Sequence, residues 1–176
     1  MSSSSGLAVG EQAPDFTAPL VSAESGTEDV LFSSLLDDKP VLLSFYTADF
    51  SPDCIDEWCA FRDFDWFSTG EDVRVIGISK SGVRLHKRFI DHLGLKFPLY
   101  SDPDLDVASA FDVDYRAFGI SRRAKRSCFL VDTDRTVRYR WVADHWLDPT
   151  RDTPPLGEIH DAIQRELDVE NRSFGF

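Results

Sequence analysis

The sequence predicts an α/β domain in which helices cover both faces of a mixed central sheet. Two observations carry this. Short apolar runs of β-forming residues alternate with segments of helical spacing, and the chain closes with a strand pair followed by a helix.

The elements follow in order. Residues 41 to 46, VLLSFY, and 73 to 78, VRVIGI, have the unbroken apolar character of central strands buried on both sides. Between them, PDCIDEWCAFRDFDWF places Ile55, Trp58, Cys59 and Arg62 near helical spacing, with Ser51 suited to the cap and Pro52 to the first turn. VRLHKRFIDHLG repeats the helical pattern through Leu85, Phe89, Ile90 and Leu93, and Gly94 stands where a helix C-terminus needs it. FPLYSD predicts a short strand and DLDVASAFDV a short helix. SCFLVD and VRYRWV form a strand pair around Thr133, Asp134 and Arg135, and PLGEIHDAIQREL is the closing helix.

A length of 176 residues with 42% hydrophobic content suits one core. We expect residues 1–8 to be a flexible Ser-rich leader and residues 9–176 a single domain. No stretch approaches the roughly 18 to 20 apolar residues of a membrane span, and the start lacks a basic segment followed by an apolar one. A cytoplasmic location is therefore expected. The net charge of −12 repels phosphate backbones and anionic lipid, which argues against nucleic-acid or membrane partners; SRRAKR, residues 121–126, is the one basic cluster. Acidic residues are spread along the chain, Asp outnumbers Glu, and Lys is scarce beside Arg. That pattern suits a surface kept hydrated in concentrated salt.

Two of the three cysteines, Cys54 and Cys59, lie in FSPDCIDEWC immediately after the first strand. Both can be read as ordinary buried thiols. Zinc binding would want three or four ligands at short spacing, and His86, His92, His145 and His160 are scattered. A thioredoxin-type exchange centre would want C-x-x-C, which this segment lacks. Cys54 falls in the first turn of the helix, where free N–H groups and the helix dipole favour a thiolate, so an accessible nucleophile of lowered pKa is expected there.

YTADFSPDCIDE resembles the active-site segment of the peroxiredoxin family, P-x-x-x-[ST]-x-x-C followed three residues later by Glu. Ser51, Cys54 and Glu57 match, and Thr47 stands at the family proline. VGEQAPDFTAPL, VIGISKSGVRLHKRF, GLKFPLYSDPDLDVASAFDV and RSCFLVDTDRTVRYRWV extend the resemblance over about residues 9 to 168, with Arg126 at the family's active-site arginine. The resemblance implies a thioredoxin-like fold and a thiol-dependent peroxidase acting on hydrogen peroxide and organic hydroperoxides. It needs no cofactor and no metal, and draws electrons from a thioredoxin-like or other thiol reductant as a monomer or homodimer.

On this reading Cys54 is the nucleophile and Arg126 stabilises its charge. Ser51, Thr47, Arg126 and the backbone N–H groups of Asp53 and Cys54 hold the peroxide, and Glu57 supports them. The Asp53 carboxylate beside the thiol would raise its pKa. Cys59, five residues on, resembles the resolving cysteine of the bacterioferritin comigratory protein and peroxiredoxin Q branch. A one-cysteine enzyme resolved by an external thiol, or a peroxide sensor without turnover, would need the same nucleophile. Cys128 reads as a core residue. Five residues of regular helix separate Cα atoms by about 8.7 Å, beyond the roughly 6.8 Å a disulfide allows, so resolution by Cys59 requires the first turns to unwind.

Overall fold

The computed structural model describes residues 6–24, 26–64, 73–117, 121–143 and 154–173. Residues 1–5 of the expected leader are not among these described residues. Their centrepiece is a sheet of seven strands: β1 (Thr17–Ser22), β2 (Gly26–Leu31), β3 (Val41–Phe45), β4 (Arg74–Ser79), β5 (Leu99–Ser101), β8 (Ser127–Val131) and β9 (Val137–Val142). The strand order is β2-β1-β5-β4-β3-β8-β9. β3, β4 and β5 run parallel, and the strands flanking them on both sides are antiparallel, so the sheet is mixed.

Every residue of β3 is buried, as an apolar run covered on both faces requires. The α-helices are α1 (Pro52–Asp63), α2 (Val83–Leu93), the short α3 (Asp106–Ala110) and α4 (Leu156–Ser173). α2 ends at Gly94, at φ 64° in the left-handed region that glycine enters at least cost, and its N–H bonds the Ile90 carbonyl.

The two faces of the sheet carry two cores. Leu42, Val75, Leu99 and Leu130 face Trp58 and Phe61 of α1, Phe89 and Ile90 of α2, and Ile159 and Ile163 of α4. On the other face, Leu43, Phe45, Ile76 and Phe129 pack against α3, Phe111 and a 3-10 turn over Phe32–Leu36. Helices therefore lie on both faces, the three long ones on the first.

The N-terminal hairpin β1–β2 and a separate hairpin of β6 (Asp114–Ala117) with β7 (Ser121–Ala124) were not foreseen as strands. β2 reads GTEDVL and is exposed along almost its whole length, so it carries no period-two apolar signal; backbone pairing to β1 alone makes it a strand. No helix among the described residues is long and apolar enough to cross a membrane.

Candidate active site

The site grows from the joint between β3 and α1. β3 ends at Phe45, and Tyr46 continues its line by donating its N–H to the Ile78 carbonyl. The chain then turns through Thr47, Ala48, Asp49 and Phe50, the last at φ 64°, a left-handed conformation rare for an aromatic residue. Ser51 occupies the N-cap with extended backbone, Pro52 opens the helix, and the Ile55 N–H makes the first bond to the Ser51 carbonyl. Ser51 takes the cap position but its side chain makes no capping bond.

Cys54, in the first turn, is fully buried. Glu57 follows three residues later on the same helix face, as that spacing dictates. Arg126, just before β8 and 1% exposed, reaches both: its Nη2 donates to Cys54 Sγ at 3.2 Å and its Nη1 to Glu57 Oε2 at 2.6 Å. The other carboxylate oxygen of Glu57 accepts from Ser44 Oγ at 3.3 Å, and Ser44 Oγ lies 3.4 Å from Cys128 Sγ. That last contact follows from strand register, because Ser44 and Cys128 are direct partners between β3 and β8.

One guanidinium thus serves two acids in a dry setting. Burial raises the Glu57 pKa to about 7, against the pull of Arg126 and Ser44. Burial, then the Glu57 carboxylate, also push the Cys54 thiol up, while Arg126, the Ala48 backbone N–H and the Ser51 hydroxyl pull it down. The exposed, low-pKa thiolate expected from the helix start is corrected here. Tyr46, Trp58 and their neighbours bury the sulfur, and an acid at the third position beyond it adds repulsion. Cys128 is a core thiol, driven upward by burial and by Glu57.

The hydroxyl oxygens of Thr47 and Ser51 are buried without a regular hydrogen-bond partner, and Ser51 stands close enough to the sulfur to favour its ionised form. A hydroxyl donates as well as accepts, so Ser51 beside the sulfur can turn its hydrogen to an oxygen-bearing ligand. The Asp53 backbone lies in the first turn of α1; its side chain, and so the expected carboxylate effect, lies outside the described residues.

Cys54, Arg126 and Glu57 meet, with the Ser51 hydroxyl beside the sulfur, and Thr47 lies in the loop that leads to them. Cys59 does not join them. It is half-buried further along an unbroken α1, and both thiols are free. Sequence reasoning missed the Ala48 N–H, Ser44, and a buried group formed by Tyr46, Asp49 and His86 behind the loop. Backbone donors carry no sequence signal, and the other contacts depend on tertiary register. His145 lies outside the described residues, among which no cluster of three potential metal ligands occurs.

The AhpC/TSA family model matches residues 9–140. A protein of Coxiella burnetii named putative peroxiredoxin bcp is 35% identical over 138 residues, covering 77% of this chain and 88% of that protein. Peroxiredoxin Bcp of Bacillus subtilis is 32% identical over 146 residues, covering 79% and 90%. Among solved structures, peroxidoxin BcpB from Mycobacterium tuberculosis superposes with a TM-score of 0.68 at 32% identity, covering 81% of this chain and 90% of that one.

Proposed function

Because the chain belongs to the AhpC/TSA family, on its Bcp and peroxiredoxin Q branch, we infer that Cys54 is the nucleophile through which it works. The protein is a thiol-dependent peroxidase with a thioredoxin-like fold. The observation that carries the site assignment is Arg126 bonded at once to Cys54 Sγ and Glu57, with the Ser51 hydroxyl beside the sulfur.

The Cys54 thiolate attacks the nearer peroxide oxygen. An S–O bond forms, the O–O bond breaks, and the departing oxygen leaves as water or an alcohol after taking up a proton, so the sulfur is oxidised to a sulfenic acid. Arg126 and Ser51 stabilise the charge that moves onto the departing oxygen, and the first-turn N–H groups of Asp53 and Cys54 help to hold the peroxide. The Cys59 thiolate then attacks the sulfenic sulfur, a disulfide forms, and hydroxide leaves as water. An external dithiol of thioredoxin type returns two electrons. Because α1 is a regular helix at both cysteines, its first turns must unwind before the sulfurs meet. Residues 9–176 act as one cytoplasmic domain, and the intramolecular disulfide suits a monomer.

The test is intact-mass analysis after one equivalent of peroxide. Cys54→Ser should consume none, Cys128→Ser should match the parent, and Cys59→Ser should stop at a sulfenic acid that dimedone traps. Equal loss in Cys54→Ser and Cys128→Ser would overturn the choice of nucleophile. A disulfide between chains would overturn the role of Cys59.

A further inference from the structure

Behind the active-site loop sits a polar cluster with no part in the steps above. Asp49, at the middle of the loop, is 6% exposed, and His86 of α2 and Tyr46 are fully buried. His86 Nδ1 lies 2.7 Å from Asp49 Oδ2, and His86 Nε2 lies 2.9 Å from the Tyr100 carbonyl oxygen of β5. Tyr46 Oη donates to Asp49 Oδ1 at 2.5 Å. The Asp49 backbone N–H donates to Ser81 Oγ, just beyond β4, at 2.9 Å. One loop residue is thereby tied to the ends of β3, β4 and β5 and to α2.

The hydrogen-bond count sets the protonation of this pair. A carbonyl can only accept, so Nε2 carries a hydrogen toward Tyr100. The Nδ1 to Oδ2 distance requires a second hydrogen between ring and carboxyl, because two lone pairs would repel at that separation. The pair is therefore either imidazolium with carboxylate or imidazole with carboxylic acid. In both cases it is neutral overall, fully bonded and dry, which makes it a strong local restraint.

Besides this cluster, the loop is held by the Phe50 ring against Phe89 and His92 of α2, at 5.2 and 5.7 Å between centroids, and by little else. Ser51 makes no side-chain cap, the Thr47 hydroxyl is unpaired, and Phe50 holds a strained φ. Asp49 lies two residues before the N-cap and one after Ala48, whose N–H faces the sulfur. Tyr46 also stands near Cys54 and packs edge-on against Trp58 of α1 at 5.4 Å.

We propose that Asp49 and His86 are positioning residues, a buried clamp that holds the active-site loop in its attacking geometry and stays fixed while the first turn of α1 opens. This rests on Cys54 being the nucleophile. Attack depends on the loop being in place, whereas disulfide formation depends on α1 leaving its place. Weakening the clamp should therefore slow the first step without slowing the second, a split that general destabilisation does not produce.

Single-turnover peroxide oxidation of the full chain tests this. Dimedone trapping in a Cys59→Ser background reads attack, and disulfide appearance in the parent background reads resolution. Asp49→Ala and His86→Gln should each slow attack at least about tenfold, since small misplacements of reacting groups cost up to about a hundredfold. Disulfide formation from the sulfenic acid should keep its rate or quicken. Asp49→Asn, which can still accept from Tyr46 and donate to a neutral His86, should recover most of the attack rate. Val131→Ala, in the core on the other face of the sheet, gives a comparison of similar global instability. The proposal is overturned if Asp49→Ala and His86→Gln attack within threefold of the parent. It is equally overturned if they slow both steps alike, if Asp49→Asn is as slow as Asp49→Ala, or if Val131→Ala shows the same split. Cys54→Ser run in parallel separates the failures: residual oxidation there refutes the nucleophile, whereas its absence with unaffected clamp variants refutes the clamp alone.

Discussion

Arg126 can neutralise one anion fully or two in part, and Cys54 and Glu57 compete for it within a site almost closed to solvent. Whichever acid ionises makes ionisation of the other harder. The sign follows for stability. The Glu57 pKa lies above its ordinary 4.5, so its contribution to folding is fully present below pH 4.5 and is lost as pH rises to about 7. A shift of that size corresponds to about 3 kcal/mol. Glu57→Gln keeps the shape and removes the titration, so its unfolding free energy should decline less between pH 4.5 and 7 than the parent's, as followed by urea denaturation. Its Cys54 thiol should also titrate at lower pH, because the second of the two causes that raise it is gone. Ultraviolet thiolate absorbance in a Cys59→Ser, Cys128→Ser background reads this directly. Parallel stability curves together with an unmoved thiol titration would remove Glu57 from the electrostatics of the site.

At the scale of elements, the position of α1 decides where Cys54 sits, and that position depends on Gly77 of β4. A Cβ built there would lie 2.5 Å from Trp58 Cζ2 and 2.7 Å from Leu99 Cδ2, both in the packed core. The indole of α1 rests on bare backbone. Gly77→Ala must push α1 outward, at a cost of about 1–3 kcal/mol for an overpacked core, and should slow Cys54 oxidation because Arg126 remains anchored beside β8. Denaturant midpoints with unchanged m-values and the single-turnover rate check both parts; a midpoint equal to the parent's would show that the helix has room to spare. The sequence makes much of this layer legible and some of it opaque, for physical reasons. VLLSFY and VRVIGI are short, rich in β-forming residues and apolar throughout, which fits strands buried on both faces, and Cys54 with Glu57 at helical spacing share a face. Gly77 carries no such signal, since a glycine in a strand looks the same whether or not an indole covers it. His86 looked like one of four scattered histidines, because its partner Asp49 is 37 residues away and meets it only once α2 docks. Ser51 was placed correctly at the cap, but only the structure separates position from role: the hydroxyl leaves the backbone unbonded and stands beside the sulfur.

Over the whole molecule the dominant long-range force is repulsion among surface acids. The chain carries a net charge of −12, and Glu24, Glu28 and Asp29 near or on the edge strand β2, Asp37 and Asp38 after the 3-10 turn, and Asp91, Asp104, Asp106, Asp112 and Asp134 elsewhere are all exposed. On β2 this charge also protects an open sheet edge from pairing with another chain. Salt acts on two opposed terms. It weakens surface ion pairs such as Arg74 with Asp38 and Arg122 with Asp114, which contribute little because both partners meet solvent. It also screens the many like-charge pairs, whose sum destabilises the compact state more than the expanded one. The second term is larger here because exposed acids far outnumber the cations available to pair with them. The melting temperature should therefore rise with sodium chloride. Most of the rise should fall between about 0.01 M and 0.15 M, where the Debye length shrinks from about 30 Å to about 8 Å. Each kcal/mol of relieved repulsion should appear as about 2–4 °C for a chain of this size. Scanning calorimetry across that range decides the matter. A flat or falling melting temperature would mean that the ion pairs outweigh the repulsion and that the acidic surface is not what limits stability in dilute buffer.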